Sequence, residues 1–262
     1  MKKLFFVGWL LLLLLPVLAV AQSSFDGTWK NDLSKMQFPT KPDVYLLQNG
    51  MYECSTCVPP IKVKADGTDQ KVTGDPYSDA LAVKVIDDHT VETTSKKGGK
   101  VMGTGKNSIS ADGNTLTVQW TDSSNPTGGT QTGTYTAKRV AKGSAGAHLI
   151  SGSWRGEKQE ASEAATTWTY KVNGNELTMS TPLGQSYAAK LDGTDAPYKG
   201  DPGTTSVSVK MLSKDTLEET HKRDGKVTWI GKLTISPDGK TAKWVAEDKL
   251  QATTATGIAT KQ

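Results

Sequence analysis

The stretch KADGTDQKVTGDP at residues 64–76 returns as KLDGTDAPYKGDP at residues 190–202, a displacement of 126 positions. Carried outward from this phrase, the same displacement matches 23 of the 50 residues between Asp66 and Thr115 with no gap. TVETTSKKGGKV recurs as TLEETHKRDGKV, and SISADGNT as TISPDGKT. With one residue of slippage the likeness reaches back to FDGTW at Phe25 and ISGSW at Ile150. The chain is therefore a duplication of a unit of about 115 residues, too long for a solenoid repeat and large enough to own a core. Residues 22–140 form the first repeat and 149–262 the second. AKGSAGAH, residues 141–148, is small, polar and glycine-bearing, and reads as the linker.

Each repeat reads as strands throughout. Asn49-Gly50, Asp66-Gly67, Gly98-Gly99 and Asp112-Gly113 punctuate the first; Asn173-Gly174, Asp192-Gly193, Asp224-Gly225 and Asp238-Gly239 punctuate the second. Short runs rich in Val, Thr, Ile and Tyr lie between, the pattern of an antiparallel meander of eight to ten strands. Charged residues must face out, which fixes the parity of each strand. Val91, Thr93 and Ser95 then face in, followed by Val101, Gly103, Gly105, Asn107 and Ile109. Leu217, Glu219 and His221 repeat the pattern, followed by Val227, Trp229, Gly231, Leu233 and Ile235. The expected turns pair Lys96 with Lys100 around a three-residue loop, and need four loop residues, Ala111 to Asn114, in the next, which sets Ile109 against Leu116, Asn107 against Val118 and Gly105 against Trp120. An inward set holding glycine, threonine and asparagine suits a closed sheet with a partly polar interior better than a tight sandwich core. The expected fold class is all-β: two tandem antiparallel up-and-down barrels.

The N-terminus has a different character. Lys2 and Lys3 precede an 18-residue apolar run, Leu4 to Ala21, just long enough for an uncleaved membrane anchor, but Pro16 and the exit Ala19-Val20-Ala21 favour a cleavable signal peptide over residues 1–21 with cleavage between Ala21 and Gln22. Loss of Lys2 and Lys3 would leave 29 basic residues against 27 acidic ones, a balance that gives no general attraction to nucleic acid or to an anionic membrane. No later apolar run is long enough to cross a bilayer as a helix. The expected location is periplasmic or extracellular, with no stable membrane insertion after cleavage.

Candidate site residues are few. Cys54 and Cys57 are the only cysteines, and in an exported protein their spacing suits a small-loop disulfide. A redox pair is the alternative, but VPPIKVK follows where a thiolate-stabilising helix would begin. Haem attachment would need histidine where Val58 stands, and zinc would need further soft ligands, so no metal or cofactor is expected. His89 and His148 have no histidine partners in the other repeat. His221 faces in, two residues from Glu219 and near Trp229; an acid–base role competes with that of a satisfied polar pair. Gly105, Trp120, Trp229 and Trp244 complete the candidate ligand-binding set with Glu219 and His221. No Gly-x-Ser-x-Gly or phosphate-cradling loop is present.

GTW at residues 27–29 and GSW at residues 152–154 open the two repeats. They resemble the Gly-x-Trp opening of lipocalin-like (calycin) barrels. The resemblance implies a tryptophan packed across one barrel end and a small apolar or amphipathic ligand admitted at the other. It departs from the family in the short connections after the first strand, residues 31–43 and 156–165, and in showing no further arginine signature. The whole chain also resembles exported tandem-repeat bacterial proteins of no assigned activity, which imply no mechanism. The function expected is non-catalytic binding of a small molecule. The alternatives are an interaction module of the cell envelope and a thiol redox protein.

Overall fold

The computed structural model describes residues 23–262; the signal-peptide reading and its cleavage site at Ala21 and Gln22 lie outside them. The first repeat forms β1 (Gly27–Gln37), β2 (Asp43–Gln48), β3 (Met51–Cys54), β4 (Ile61–Lys64), β5 (Gln70–Lys71), β6 (Ala80–Asp87), β7 (Thr90–Lys97), β8 (Lys100–Ile109), β9 (Thr115–Asp122) and β10 (Gln131–Lys142). The second forms β11 (Gly152–Ala161), β12 (Thr167–Asn173), β13 (Glu176–Ser180), β14 (Ser186–Lys190), β15 (Asp192–Pro197), β16 (Ser206–Ser213), β17 (Thr216–Arg223), β18 (Lys226–Ile235), β19 (Thr241–Asp248) and β20 (Thr253–Lys261). A single 3-10 turn, Glu163–Thr166, precedes β12. The fold is all-β: two nearly closed, antiparallel, ten-stranded barrels. Among the described residues no helix is long and apolar enough to cross a membrane.

The barrels do not coincide with the repeats. One sheet runs β4-β3-β2-β11-β10-β9-β8-β7-β6-β5 and the other β14-β13-β12-β1-β20-β19-β18-β17-β16-β15. The first strand of each repeat has been exchanged. β1 lies between β12 and β20, with Trp29 opposite Trp168 and Lys261; β11 lies between β2 and β10, with Trp154 opposite Asp43 and Arg139.

The reason lies between the repeats. Ala141 and Lys142 are the end of β10, and the chain turns straight back so that Lys142 pairs with Gly152. The turn is fastened to the first barrel: His148 N donates to Leu47 O (2.9 Å), Ser151 Oγ accepts from Leu47 N (2.8 Å), and His148 Nε2 meets Asp87 O at 2.7 Å. Gly152 sits at φ 131°, and a Cβ there would come within 2.3 Å of Ala141 O. The glycine of the Gly-x-Trp opening is thus required by the close return of the chain. β11 is delivered into the slot beside β10, which leaves β1 to fill the matching slot in the other barrel.

The exchange also sets how the barrels meet. Residues 38–42 carry the chain from β1 to β2, and five residues span about 17 Å at full extension. The open ends of the barrels therefore adjoin. Lys41 Nζ donates to Gln251 O (2.7 Å), and Tyr77 OH donates to Asp201 Oδ1 (2.8 Å).

At the far ends the tryptophans seal the cores. Trp29 and Phe25 are fully buried with Leu177, Val207 and Leu217; Trp154 and Ile150 are buried with Val83, Val91 and Leu116. Each indole N–H donates to a carbonyl four residues earlier, Phe25 O or Ile150 O, both at 2.8 Å. A cation covers each ring: Arg139 lies 4.0 Å from the Trp154 centroid and Lys261 4.9 Å from that of Trp29. Arg139 also donates to the carbonyls of Ser151 (2.7 Å) and Leu149 (2.6 Å), so it ties the turn to the strand that precedes it.

The alternation of inward and outward residues holds with one systematic correction. The expected pairing of Ile109 with Leu116, Asn107 with Val118 and Gly105 with Trp120 is present. The preceding hairpin differs. Lys97, not Lys96, pairs with Lys100, around a two-residue turn in which Gly98 and Gly99 both have positive φ. An extra residue, Met102, then shifts the ladder so that Ser95 meets Gly103. The second repeat does the same with Asp224-Gly225 and Thr228, so His221 lies opposite Trp229 rather than beside Val227. Val101 and Val227, read as inward, are exposed as a result, while Thr228 is buried.

The two barrels close differently. In the second, Ser186 and Lys199 exchange backbone hydrogen bonds of 3.0 and 2.9 Å across the seam beyond β14 and β15. The corresponding residues of the first repeat are Pro60 and Thr73. Proline has no N–H to donate, so this reciprocal pair cannot form there.

Replacing Trp29 by alanine is expected to cost about 3–5 kcal/mol and to lower amide exchange protection chiefly in β12–β20. Trp154→Ala should act chiefly on β2–β10. Loss of protection in β2–β10 from Trp29→Ala, measured by hydrogen exchange with mass spectrometry, would contradict the exchange.

Candidate ligand cavity

Four of the six candidate residues converge in the second barrel. β17 carries Glu219 and His221 inward, β18 carries Trp229 and β19 carries Trp244. All four line a half-open cavity of about 280 Å³ together with apolar residues such as Met179, Leu217 and Leu233. Gly105 and Trp120 lie in the other sheet. They line an open depression formed by three successive residues from each of four adjoining strands, 92–94, 104–106, 119–121 and 132–134. Successive residues on all four strands mark a dip in the sheet, whereas β12, β13 and β17 reach the second-barrel cavity through alternate residues, Trp168 and Tyr170, Met179 and Thr181, and Leu217, Glu219 and His221. Trp120 itself has the parity of buried Leu116 and faces inward.

Glycine makes room for the aromatic rings, though at different positions from those expected. The Trp120 ring lies over Gly133 on β10, where a Cβ would be 2.3 Å from it; the space at Gly105 is taken by Thr93 Oγ1, 2.7 Å from the position a Cβ would occupy. In the second barrel Trp244 lies over Gly257 and Trp229 over Gly231, each 2.4 Å from where a Cβ would sit. Trp229 in turn stacks on His221 with centroids 3.7 Å apart and planes inclined by 17°.

Behind this aromatic wall is a buried polar cluster. Glu219 Oε1 accepts hydrogen bonds from Tyr170 OH (2.5 Å) and Tyr187 OH, and Oε2 meets His221 Nε2 at 3.2 Å. Burial alone would raise the Glu219 pKa. The bond and charge of His221 and the two tyrosine hydroxyls outweigh it and hold the carboxyl below its usual range. Burial and the neighbouring carboxylate push Tyr170 and Tyr187 well above the ordinary phenol value, so both remain donors. The cluster is satisfied from within the protein, as an interior charge must be.

Other polar atoms on residues of this wall are different, enclosed by protein and not open to the cavity. Among the described residues, three buried side-chain polar atoms have no hydrogen-bond partner: Asn31 Oδ1, Trp168 Nε1 and Trp244 Nε1. All three residues line this cavity. Asn31 comes from β1, so the site is completed by the strand supplied from the first repeat. Asn31, Trp168, Tyr170 and Tyr187 were not among the expected site residues. TWTY at residues 167–170 carries an alternation that places Trp168 and Tyr170 on one face, but nothing local to NDLS at residues 31–34 assigns Asn31 to the other repeat's barrel.

Cys54 and Cys57 form a disulfide at the end of β3, closing the first turn of the loop to β4. A strand, not a helix, follows that loop, so no helix N-terminus adjoins either sulfur. His89 Nδ1 meets Ile109 O at 3.0 Å and His148 meets backbone groups, which leaves His221 as the one histidine at the cavity. Among the described residues no group of three or more His, Cys, Asp or Glu side chains is placed to hold a metal ion. No protein-family model and no curated protein matches the chain.

The Glu219 cluster makes a signed prediction. A carboxyl with a depressed folded pKa stabilises the protein above its unfolded pKa, and that contribution is lost as pH falls through the folded value. Glu219→Gln should cost about 1–3 kcal/mol at neutral pH by leaving buried donors poorly matched. Its deficit against the parent should shrink as pH drops below the ordinary carboxylate range. A deficit in urea denaturation that is constant between pH 7 and pH 3 would contradict an ionised Glu219.

Proposed function

We propose that this is an exported, non-catalytic, lipocalin-like protein that takes a small amphipathic molecule into its second barrel. The observation that carries the reading is the cavity of about 280 Å³ walled by Trp168, Trp229 and Trp244, just under the roughly 300 Å³ at which typical ligand sites begin and so suited only to a small molecule. The sealed end supports the lipocalin-like assignment: a buried Gly-x-Trp tryptophan packs across one end of each barrel. A disulfide suits an oxidising compartment, which agrees with export.

The chemistry of the site argues for binding over catalysis. A general base works best with a pKa near the operating pH. Glu219 is shifted the other way and already accepts three hydrogen bonds. The first repeat contributes β1 to this barrel, and its own sheet seats β11 in exchange.

Native mass spectrometry of the protein purified from the organism that encodes it should reveal a retained small molecule. Leu233→Trp, which fills the cavity from its wall, should abolish that mass increment while the chain stays folded. Protein that carries no adduct and takes up none of a panel of small aromatic and aliphatic compounds would contradict the reading and favour an envelope interaction module with filled barrels.

A further inference from the structure

Tryptophan is used in two ways in this molecule, and the contrast bears on what the cavity takes. At the sealed ends Trp29 and Trp154 are buried, and each has a cation of the protein against its ring, Lys261 at 4.9 Å and Arg139 at 4.0 Å. The ring quadrupole attracts a cation to the face, most strongly in tryptophan. Trp168, Trp229 and Trp244 differ. They are only partly buried, they line the half-open cavity, and among the described residues no cation of the protein stands over them. The partly buried ring of Tyr198 joins this wall, 5.4 Å from that of His221. Lys232 is the one lysine or arginine on the wall, and its ammonium is turned to Glu218, 4.0 Å away.

Resting on the binding reading, we propose that the cavity takes a small quaternary ammonium cation, with its methyl groups against the rings of Trp168, Trp229, Trp244 and Tyr198 and its charge facing Glu219. Glu219 supplies the sign. It is the one carboxylate on the cavity wall, and Tyr170, Tyr187 and His221 hold it in its charged form. With the His221 ring neutral the cluster carries one negative charge, and a cation in the cavity favours that state. The attraction is stronger in this poorly solvated site than it would be in water. The same hydrogen bonds decide the type of cation. The Glu219 oxygens already accept three of them, so a primary ammonium would exchange water for few acceptors. A quaternary ammonium has no N–H to satisfy, and its methyl groups suit an aromatic wall. The cavity, at about 280 Å³, suits a compact head group better than a long chain.

Isosteric probes separate charge from shape. Choline and 3,3-dimethylbutanol share one shape and differ in whether a positive nitrogen or a carbon bears the three methyl groups; ethanolamine keeps a charge and lacks the methyl groups. Titration of the full chain, followed by calorimetry and tryptophan fluorescence, should show choline bound at least about tenfold more tightly than either of the others. Trp168→Leu and Trp244→Leu, which keep an apolar wall and remove a ring, should each narrow the ratio of choline to 3,3-dimethylbutanol. Glu219→Gln, shown to be folded by circular dichroism, should narrow it too. A ratio unchanged in all three variants would overturn the assignment of the cation to this cavity. Equal affinity for choline and 3,3-dimethylbutanol in the parent would overturn the cation and leave the binding reading intact. Ethanolamine bound as tightly as choline would overturn the quaternary requirement in favour of a hydrogen-bonded ammonium. Uptake of a neutral compound from the wider panel, with none of choline, would overturn the cation alone. Uptake of no compound by folded protein would overturn both readings together.

Discussion

The arrangement of this molecule depends on the return of the chain after β10. Nine residues, 143–151, connect two strands that pair with each other, and the turn is held to the first barrel by His148, Ser151 and Arg139. Once β11 is committed to the slot beside β10, β1 has no place in its own repeat. The equivalent slot between β12 and β20 is the one left open, and the similarity of the Gly-Thr-Trp and Gly-Ser-Trp openings lets either strand fit either barrel. The short crossing at residues 38–42 then requires the open ends to face each other. Sequence duplication, strand exchange and the juxtaposition of the barrel mouths are thus one linked set of constraints.

Within that frame the repeats have diverged in ways that separate their roles. A proline at position 60 removes the donor that Ser186 uses to close the second barrel. Trp229, Trp244 and Trp168 give the second barrel an aromatic interior around a buried carboxylate, where the first carries Gly103, Val118 and, one residue earlier in register, Asp43. The exchange makes the cavity a product of both halves, since its Asn31 lies on the strand from the first repeat. A change confined to β1 therefore alters a site that the sequence locates almost wholly in the second repeat.

Much of this was legible in one dimension. Duplication, all-β character and the inward placement of Glu219, His221, Trp229 and Trp244 follow from period-two alternation and from keeping lysine in water. The β8–β9 register followed because a four-residue turn was the one that kept charge outside. The β7–β8 register did not. A two-residue turn plus a bulge preserves the parity of Gly103 and Gly105 just as the expected three-residue loop does, so alternation alone cannot separate them. The exchange was invisible for a deeper reason. Local pattern says that residues 27–37 form a strand with Trp29 inward, and this is satisfied equally in either barrel. Asn31 and the cation that covers each tryptophan were missed with it, because they depend on which sheet receives the strand.

A cysteine cross-link reports the partner of β1 most directly. Lys30 lies opposite Thr260 in the exchanged arrangement. In an unexchanged one it would take the place of Arg155 and face Lys138. Lys30→Cys with Thr260→Cys should form an intramolecular disulfide in dilute oxidised monomer, mapped by peptide mass spectrometry, and Lys30→Cys with Lys138→Cys should not. A bond in the second pair and none in the first would show that each repeat closes its own barrel, and the account of the fold and of its cavity would be wrong.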